Sequence, residues 1–340
     1  FNCPNHFPLG GSQTVTLKIG FIGTGGIANN HIRNLSKIED TEIIAFCDIQ
    51  LARAEEAAKQ HANAKAYSNV ADMLDDRKLD AVYICLPPMA HGEAELAVVE
   101  RGIPFLVEKP IGLDMELPLQ ILNKVQEKKL MNAVGFQWRY HPAVQKAAEI
   151  LKEVEFGMAL GFWLGGMPGT PWWRVQKLSG GQFVEQTIHI TDMLRFLCGE
   201  VTEVYSAFGS RILHKRVENV TVPDVGSVTM KLENGGVATI SNTCILPGGG
   251  KVGLDIYTDQ GAIEIRGNGL KHIKKANEVF EFPTNVSAHE LEDIEFIKAL
   301  KTGDPSYILS DYADAIHTHA IVVAANESAE TGKPVTLSRG

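Results

Sequence analysis

The chain has 340 residues, of which 44% are apolar and 21% charged, and a formal net charge of −9. That length allows roughly two domains, each with its own core, and no apolar run approaches the ~18 residues of a membrane span. The acidic balance argues against nucleic acid or an anionic membrane surface as a partner.

Phe1 to Thr14 carries no signal-peptide pattern and is read as a tail or expression scar outside the fold. Residues 15–137 then alternate strand-like and helix-like segments. Val15–Ile22 is a strand, followed by a glycine turn and a helix over Ile27–Ile38. Thr41–Cys47 is a strand and Leu51–His61 a helix. Ala81–Leu86 is a strand closed by Pro87-Pro88, and His91–Arg101 a helix. Phe105–Val107 runs into Glu108-Lys109-Pro110, Leu117–Lys129 is helical, and Met131–Phe136 is a strand. This alternation predicts βαβ units and a doubly wound parallel sheet of the Rossmann type.

Residues 138–340 read as a second, α+β domain. Helices are expected over Val144–Lys152, Val184–Leu197, Ser287–Lys301 and Ser310–Thr331. Strands are expected over Ala159–Leu164, Val201–Phe208, Gly226–Leu232, Val237–Thr243, Lys251–Thr258 and Ala262–Arg266. The turns at Glu233–Gly236 and Asp259–Gly261 join neighbouring strands, which predicts a large, mostly antiparallel open sheet. The five cysteines are odd in number and form no C-x-x-C pair. They read as buried thiols of a reducing, cytoplasmic compartment.

Gly23-x-Gly25-x-x-Ala28 follows a strand and opens a helix. Gly23 permits the tight turn, Gly25 lets backbone approach a pyrophosphate, and Ala28 lets helix and strand pack. With Gly26 and Ile27 at the helix start, unpaired N–H groups would face the phosphates. Asp48 ends the second strand and is expected to accept from the ribose hydroxyls. The competing reading of Asp48 is a helix cap. An acid there favours NAD, while Arg53 nearby keeps NADP open.

Lys109 stands at the carboxyl end of a strand, where ligands bind in such sheets. It could donate to a substrate oxygen, with Glu108 fixing the ammonium; a surface ion pair is the plainer reading. Here the sequence resembles the Gfo/Idh/MocA family (glucose–fructose oxidoreductase, inositol dehydrogenase, rhizopine catabolism). The matching residues, in order, are the glycine turn, Asp48, Leu86–His91, Glu108-Lys109-Pro110, Gly135–Pro142 and Gly180–Asp192. The resemblance implies a catalytic lysine at Lys109, cofactor contacts around Leu86, Pro87, His91, Glu108, Lys109 and Gln137, and substrates that are sugars or polyols. It also implies a homodimer or homotetramer formed through the C-terminal sheet. Three positions depart from the family pattern: Pro88 replaces an Asn, Glu185 an Asp and Thr187 a Gly.

Val184–Leu197 is expected to be one amphipathic helix, and the spacings of four and three residues put Glu185, His189 and Asp192 on one face of it. Oxidising a secondary alcohol requires a group to take its proton, and histidine, with a reference pKa of about 6.5, exchanges one near neutrality. Lys109 and His189 are therefore expected to handle the proton, with Glu185 binding a substrate hydroxyl and Asp192 orienting the site. Trp172, Trp173 and Arg174, in a Gly/Pro-bounded loop, and Arg139 are candidate substrate contacts; core packing competes for the aromatics. Glu185, His189, Asp192 and His141 are the metal-type residues here, but no H-E-x-x-H or cysteine cluster accompanies them, and no metal is expected. The leading expectation is an NAD-dependent sugar or polyol dehydrogenase. A glycosidase or lyase using transient oxidation, and a non-catalytic sensor, are the alternatives.

Overall fold

The computed structural model describes residues 16–275 and 278–337; the tail expected over residues 1–14 lies outside them. The first unit runs β1 (Leu17–Ile22), α1 (Gly26–Leu35), β2 (Thr41–Cys47), α2 (Leu51–Ala58), β3 (Lys65–Tyr67), α3 (Val70–Asp76), β4 (Ala81–Ile84), α4 (Glu93–Glu100), β5 (Phe105–Val107), α5 (Glu116–Lys128) and β6 (Asn132–Val134). Its six strands lie in the order β3-β2-β1-β4-β5-β6 and all pair in parallel. The central strands are apolar throughout because helices cover both faces. β3 and α3 were not expected from sequence: three residues of strand and seven of helix are too short to show periodicity.

The second unit runs α6 (Pro142–Leu151), β7 (Phe156–Leu164), α7 (Gln176–Ser179), α8 (Gln182–Glu185), α9 (Ile188–Cys198), β8 (Val201–Gly209), β9 (Val225–Leu232), β10 (Val237–Thr243), β11 (Lys251–Thr258), β12 (Gly261–Arg266), β13 (Gly269–Lys275), β14 (Glu278–Pro283), α10 (Ala288–Thr302), α11 (Tyr312–Thr331) and β15 (Val335–Thr336). Nine strands form one sheet in the order β14-β13-β12-β11-β7-β10-β9-β8-β15. Among the described residues of this sheet, only β7 and β10 pair in parallel. Helices α9 and α11 cover one face, packing Ile190, Met193 and Leu194 against Ala159, Ile240, Leu254 and Ile256.

Two features depart from the expected layout. The helix expected over Val184–Leu197 is two helices, broken at Gln186-Thr187. The last helices also return to the first unit. α10 packs along α1, and the Ser310 carbonyl accepts from the Val134 N–H beyond β6. A cut after residue 137 therefore separates the two sheets but not the helices that cover them.

Candidate active site

In a parallel sheet all strands end on the same edge. The segments after β1, β2, β4, β5 and β6 therefore converge, and they carry Gly23–Ile27, Asp48, Leu86–His91, Glu108–Lys109 and Gln137. The strand order reverses between β1 and β4, which opens a crevice for a ligand. Gly23 adopts φ +86, and a Cβ there would lie 2.4 Å from the Cys85 carbonyl oxygen, so no other residue fits. A Cβ on Gly25 or Gly26 would meet nothing within 4 Å. The first turn of α1 holds no acidic side chain and no side-chain cap. Its N–H groups thus face open space that the two glycines keep clear, which is what a pyrophosphate requires.

Asp48 is not the cap of α2, whose N-cap is Gln50. Its Oδ2 accepts from the Thr24 N–H (3.1 Å) and hydroxyl (2.9 Å), and its Oδ1 from the Gln50 N–H (2.9 Å). The carboxylate thereby ties the end of β2 to the glycine turn. Gln137 is buried with Oε1 unpartnered. His91 bonds Glu95 through Nδ1 and leaves a buried Nε2 without a partner. Leu86 and Pro87 are half-buried beside them. These residues fit a dinucleotide lying across the edge of the sheet.

Lys109 reaches from that edge to the second unit. Its Nζ donates to the Glu185 carbonyl (2.9 Å) and approaches Glu185 Oε1 at 3.4 Å. The far oxygen of Glu185 accepts from the Trp173 indole N–H at 2.7 Å. The break after α8 makes this possible: it leaves the Glu185 carbonyl outside a continuous helical ladder and free to accept. His189, in the first turn of α9, is buried between Trp163, stacked at 6.0 Å, and the edge of Phe136 at 6.3 Å. Its Nδ1 has no partner. Burial, then the positive charge of Lys109 and the nearness of His289, hold the imidazole well below its ordinary pKa, so it is neutral at physiological pH.

Four expectations need correction. Asp192 and Arg139 do not face a substrate. They bind each other in a bidentate pair (2.8 and 2.6 Å), at 1% and 2% exposure. Arg139 also donates to the Leu309 carbonyl and pairs with Asp314, and Asp192 accepts from the Thr318 hydroxyl. With the expected helix broken, α9 turns Asp192 toward this core pair. Trp173 is 1% exposed and packs with Leu213, Val220, Val222 and Cys244, so it serves Glu185 rather than a sugar face. Glu108 turns its carboxylate toward α1 and not toward the Lys109 ammonium. It is buried, with Oε1 facing His31 Nε2 at 3.1 Å and Oε2 accepting the Lys109 N–H at 3.1 Å. Trp172 and Arg174 stay half-buried, and Arg174 Nε lacks a partner.

Among the described residues, the metal-type side chains that gather their donor atoms are His31, Glu108 and Glu292, within 4.8 Å of one another. Glu185, His189, Asp192 and His141 form no such group. Both nitrogens of His31 already face carboxylates. His31, His289, Glu292 and Asp293 were missed from sequence. The available signal was His31 itself, on the buried Ala28–Ile32–Leu35 face of α1, where a histidine needs a partner.

Residues 17–136 match the family model described as "Oxidoreductase family, NAD-binding Rossmann fold", and residues 144–264 the GFO/IDH/MocA C-terminal domain. An inositol 2-dehydrogenase of Rhizobium meliloti is 30% identical over 254 residues, covering 73% of this chain and 75% of the relative. A myo-inositol 2-dehydrogenase of Thermotoga maritima is 24% identical over 331 residues, covering 94% and 98%. A levoglucosan dehydrogenase solved with NADH has the same fold, with a TM-score of 0.85 at 20% identity over 95% of this chain and 99% of that one. No helix among the described residues is long and apolar enough to cross a membrane. A glycine cradle on a six-stranded parallel sheet, a lysine at its edge and an open antiparallel sheet behind it thus carry the family's two matching models, and the chain belongs to the GFO/IDH/MocA family as an NAD-dependent oxidoreductase.

Proposed function

We propose that this oxidoreductase interconverts a secondary alcohol and a ketone on a sugar or polyol, with Lys109 and His189 handling the proton. The observation that carries this reading is the contact of Lys109 with Glu185, together with a buried, neutral His189 whose Nδ1 has no partner and which feels the Lys109 charge. NAD, when bound, supplies or accepts the hydride. Gly23, Gly25, Gly26 and Ile27 hold its pyrophosphate, and Asp48 accepts from its ribose hydroxyls. Leu86, Pro87, His91 and Gln137 line the remainder of its crevice. Lys109 Nζ stabilises charge on the reacting oxygen, and His189 takes or returns the hydroxyl proton. Glu185 holds the lysine and meets a neighbouring hydroxyl; Trp172 and Arg174 bound the sugar at the rim. The inositol and levoglucosan dehydrogenases among its relatives support this substrate class.

The test is a panel of polyols, aldoses, ketoses and glycosides, each with NAD and with NADP, read at the reduced-nicotinamide absorbance. NAD-dependent turnover of a free polyol or sugar is expected. Glycoside cleavage with no net NADH, or turnover with NADP alone, would overturn the reading. In Lys109→Ala, turnover falls by about 10²–10⁴-fold with NAD binding retained; normal turnover would remove Lys109 from the mechanism.

The open face of the nine-stranded sheet supports a homodimer or homotetramer. Tyr257, Met158 and Val237 sit side by side across β11, β7 and β10, exposed by 38–45%. Met158→Asp is expected to yield monomers in light scattering; a wild-type monomer would exclude the assembly. Cys47, Cys85, Cys198 and Cys244 are buried free thiols, which supports a reducing, cytoplasmic setting.

A further inference from the structure

Glu108, the neighbour of Lys109, enters a buried ionic cluster assembled from three distant parts of the chain. His31 of α1 is fully buried at its centre. Its Nδ1 lies 2.7 Å from Asp293 Oδ1 on α10, and its Nε2 lies 3.1 Å from Glu108 Oε1 at the end of β5. A neutral imidazole has one N–H and would turn a lone pair toward one of these carboxylates; an imidazolium donates to both. The other oxygens are also taken. Asp293 Oδ2 accepts from Asn34 Nδ2 at 2.8 Å, and Glu108 Oε2 accepts the Lys109 N–H. Gly135 closes the remaining side, since a Cβ there would lie 2.8 Å from the Glu108 carboxyl.

Within the cluster His31 is positive and Glu108 and Asp293 negative, while the Lys109 ammonium pairs with Glu185. A third negative charge on Glu292 would be uncompensated: it is 1% exposed, both its oxygens lack partners, and it lies within 4.8 Å of His31 and Glu108. Burial and the neighbouring carboxylates push it well above the usual carboxyl range, so it is a neutral acid. The groups around His31 are Tyr83 of β4 at 5.2 Å, Glu108 after β5, and His289, Glu292 and Asp293 around α10; Asn34 of its own helix bonds Asp293, and Cys85 and Lys109 lie near Glu108. The His289 ring presents an edge to His31 at 6.3 Å.

We propose that His31 is a positioning residue for Lys109: as a cation shared by Glu108 and Asp293 it fixes Glu108, and Glu108 fixes the backbone from which Lys109 reaches Glu185. This rests on the role proposed above for Lys109. The chain thereby uses α10, far along the sequence, to set a residue that follows β5. Burial opposes the His31 charge, but Asp293 and then Glu108 outweigh it, so the proton is held well above pH 6.5.

Histidine-labelled full-length protein is followed by NMR from pH 5 to 9, with turnover and NAD affinity measured on variants. His31 is expected to remain doubly protonated at pH 8; titration near pH 6.5 overturns the clamp. His31→Gln is expected to lower kcat by about 10²-fold, as a small misplacement of a reacting group does, with the NAD Kd within about twofold. Glu108→Gln is expected to match it, and the double variant to be no worse than the poorer single. Multiplicative losses, or a loss that tracks only the folded fraction, overturn the proposal. Glu292→Gln, which mimics a neutral acid, is expected to preserve both turnover and the His31 signal; loss of that signal overturns the charge assignment. A wild-type protein with the NMR signature but no hydride transfer across the substrate panel supports the clamp and sinks the reaction proposed for it.

Discussion

His189 and Asp192 stand one turn apart on α9, and both are buried, yet their surroundings are opposite. Asp192 is saturated by two Arg139 bonds and the Thr318 hydroxyl, inside a network that continues through Asp314 to Arg195. His189 offers a free Nδ1, wedged between two aromatic rings. A buried carboxylate with both oxygens held by an arginine and a hydroxyl holds elements together. A buried imidazole without a partner has been desolvated at a cost, and that cost is recovered where a ligand completes it. The difference separates the scaffold of the second unit from its chemistry.

Opening the Arg139–Asp192 side carries the largest expected effect. Arg139→Met leaves Asp192 as an uncompensated buried charge, and breaking a buried pair in this way costs about 3–5 kcal/mol. Urea denaturation of the NAD-free protein measures it. Unchanged stability with a raised substrate KM would return Arg139 to the binding site.

His189→Gln tests the other side. Turnover is expected to fall by about 10²–10⁴-fold with denaturation midpoints near wild type, because no hydrogen bond to the ring is lost. The wild-type pH profile sharpens the same point. A base held below its usual range stays unprotonated as pH falls, so the acid limb of kcat/KM should lie below pH 6.5. A limb at or above 6.5 would remove His189 as the base.

A smaller effect is expected at Trp173→Phe. It keeps most of the packing but frees one Glu185 oxygen, loosening the carboxylate that holds Lys109. A hydrogen bond to a charged group is worth about 1.5–3 kcal/mol, and Glu185 is partly solvated, so roughly a tenfold fall in kcat is expected. If the substrate KM rose with kcat unchanged, Trp173 would belong to binding instead.

Much of the first unit was legible because its signals are local. The Gly23–Ala28 turn, the acid at Asp48 and the apolar runs of β1, β4 and β5 each follow from backbone sterics or from burial on both faces. β3, α3, β13 and β14 escaped because short or half-exposed segments carry little periodicity. At the candidate site, Lys109, Glu185 and His189 were expected together and the structure brings Lys109 and Glu185 into contact. Arg139 and Asp192 were expected there and face each other, Glu108 turns to His31, and Trp173 meets the site only through Glu185. Side-chain direction depends on a helix break at Gln186-Thr187 and on partners such as Asp314, Thr318 and His31, from 77 to 126 residues away in sequence for the last two.

The amino-acid order alone determined that a dinucleotide fold opens this chain, since a glycine turn between strand and helix is a property of a few consecutive residues. It also determined which ionisable side chains exist to do chemistry. Packing in three dimensions set which of them pair with one another. A charge taken out of water must find a partner, and the partner it finds is set by how distant elements pack, not by spacing along the chain. Asp192 met Arg139, Glu108 met His31, and His189 was left free.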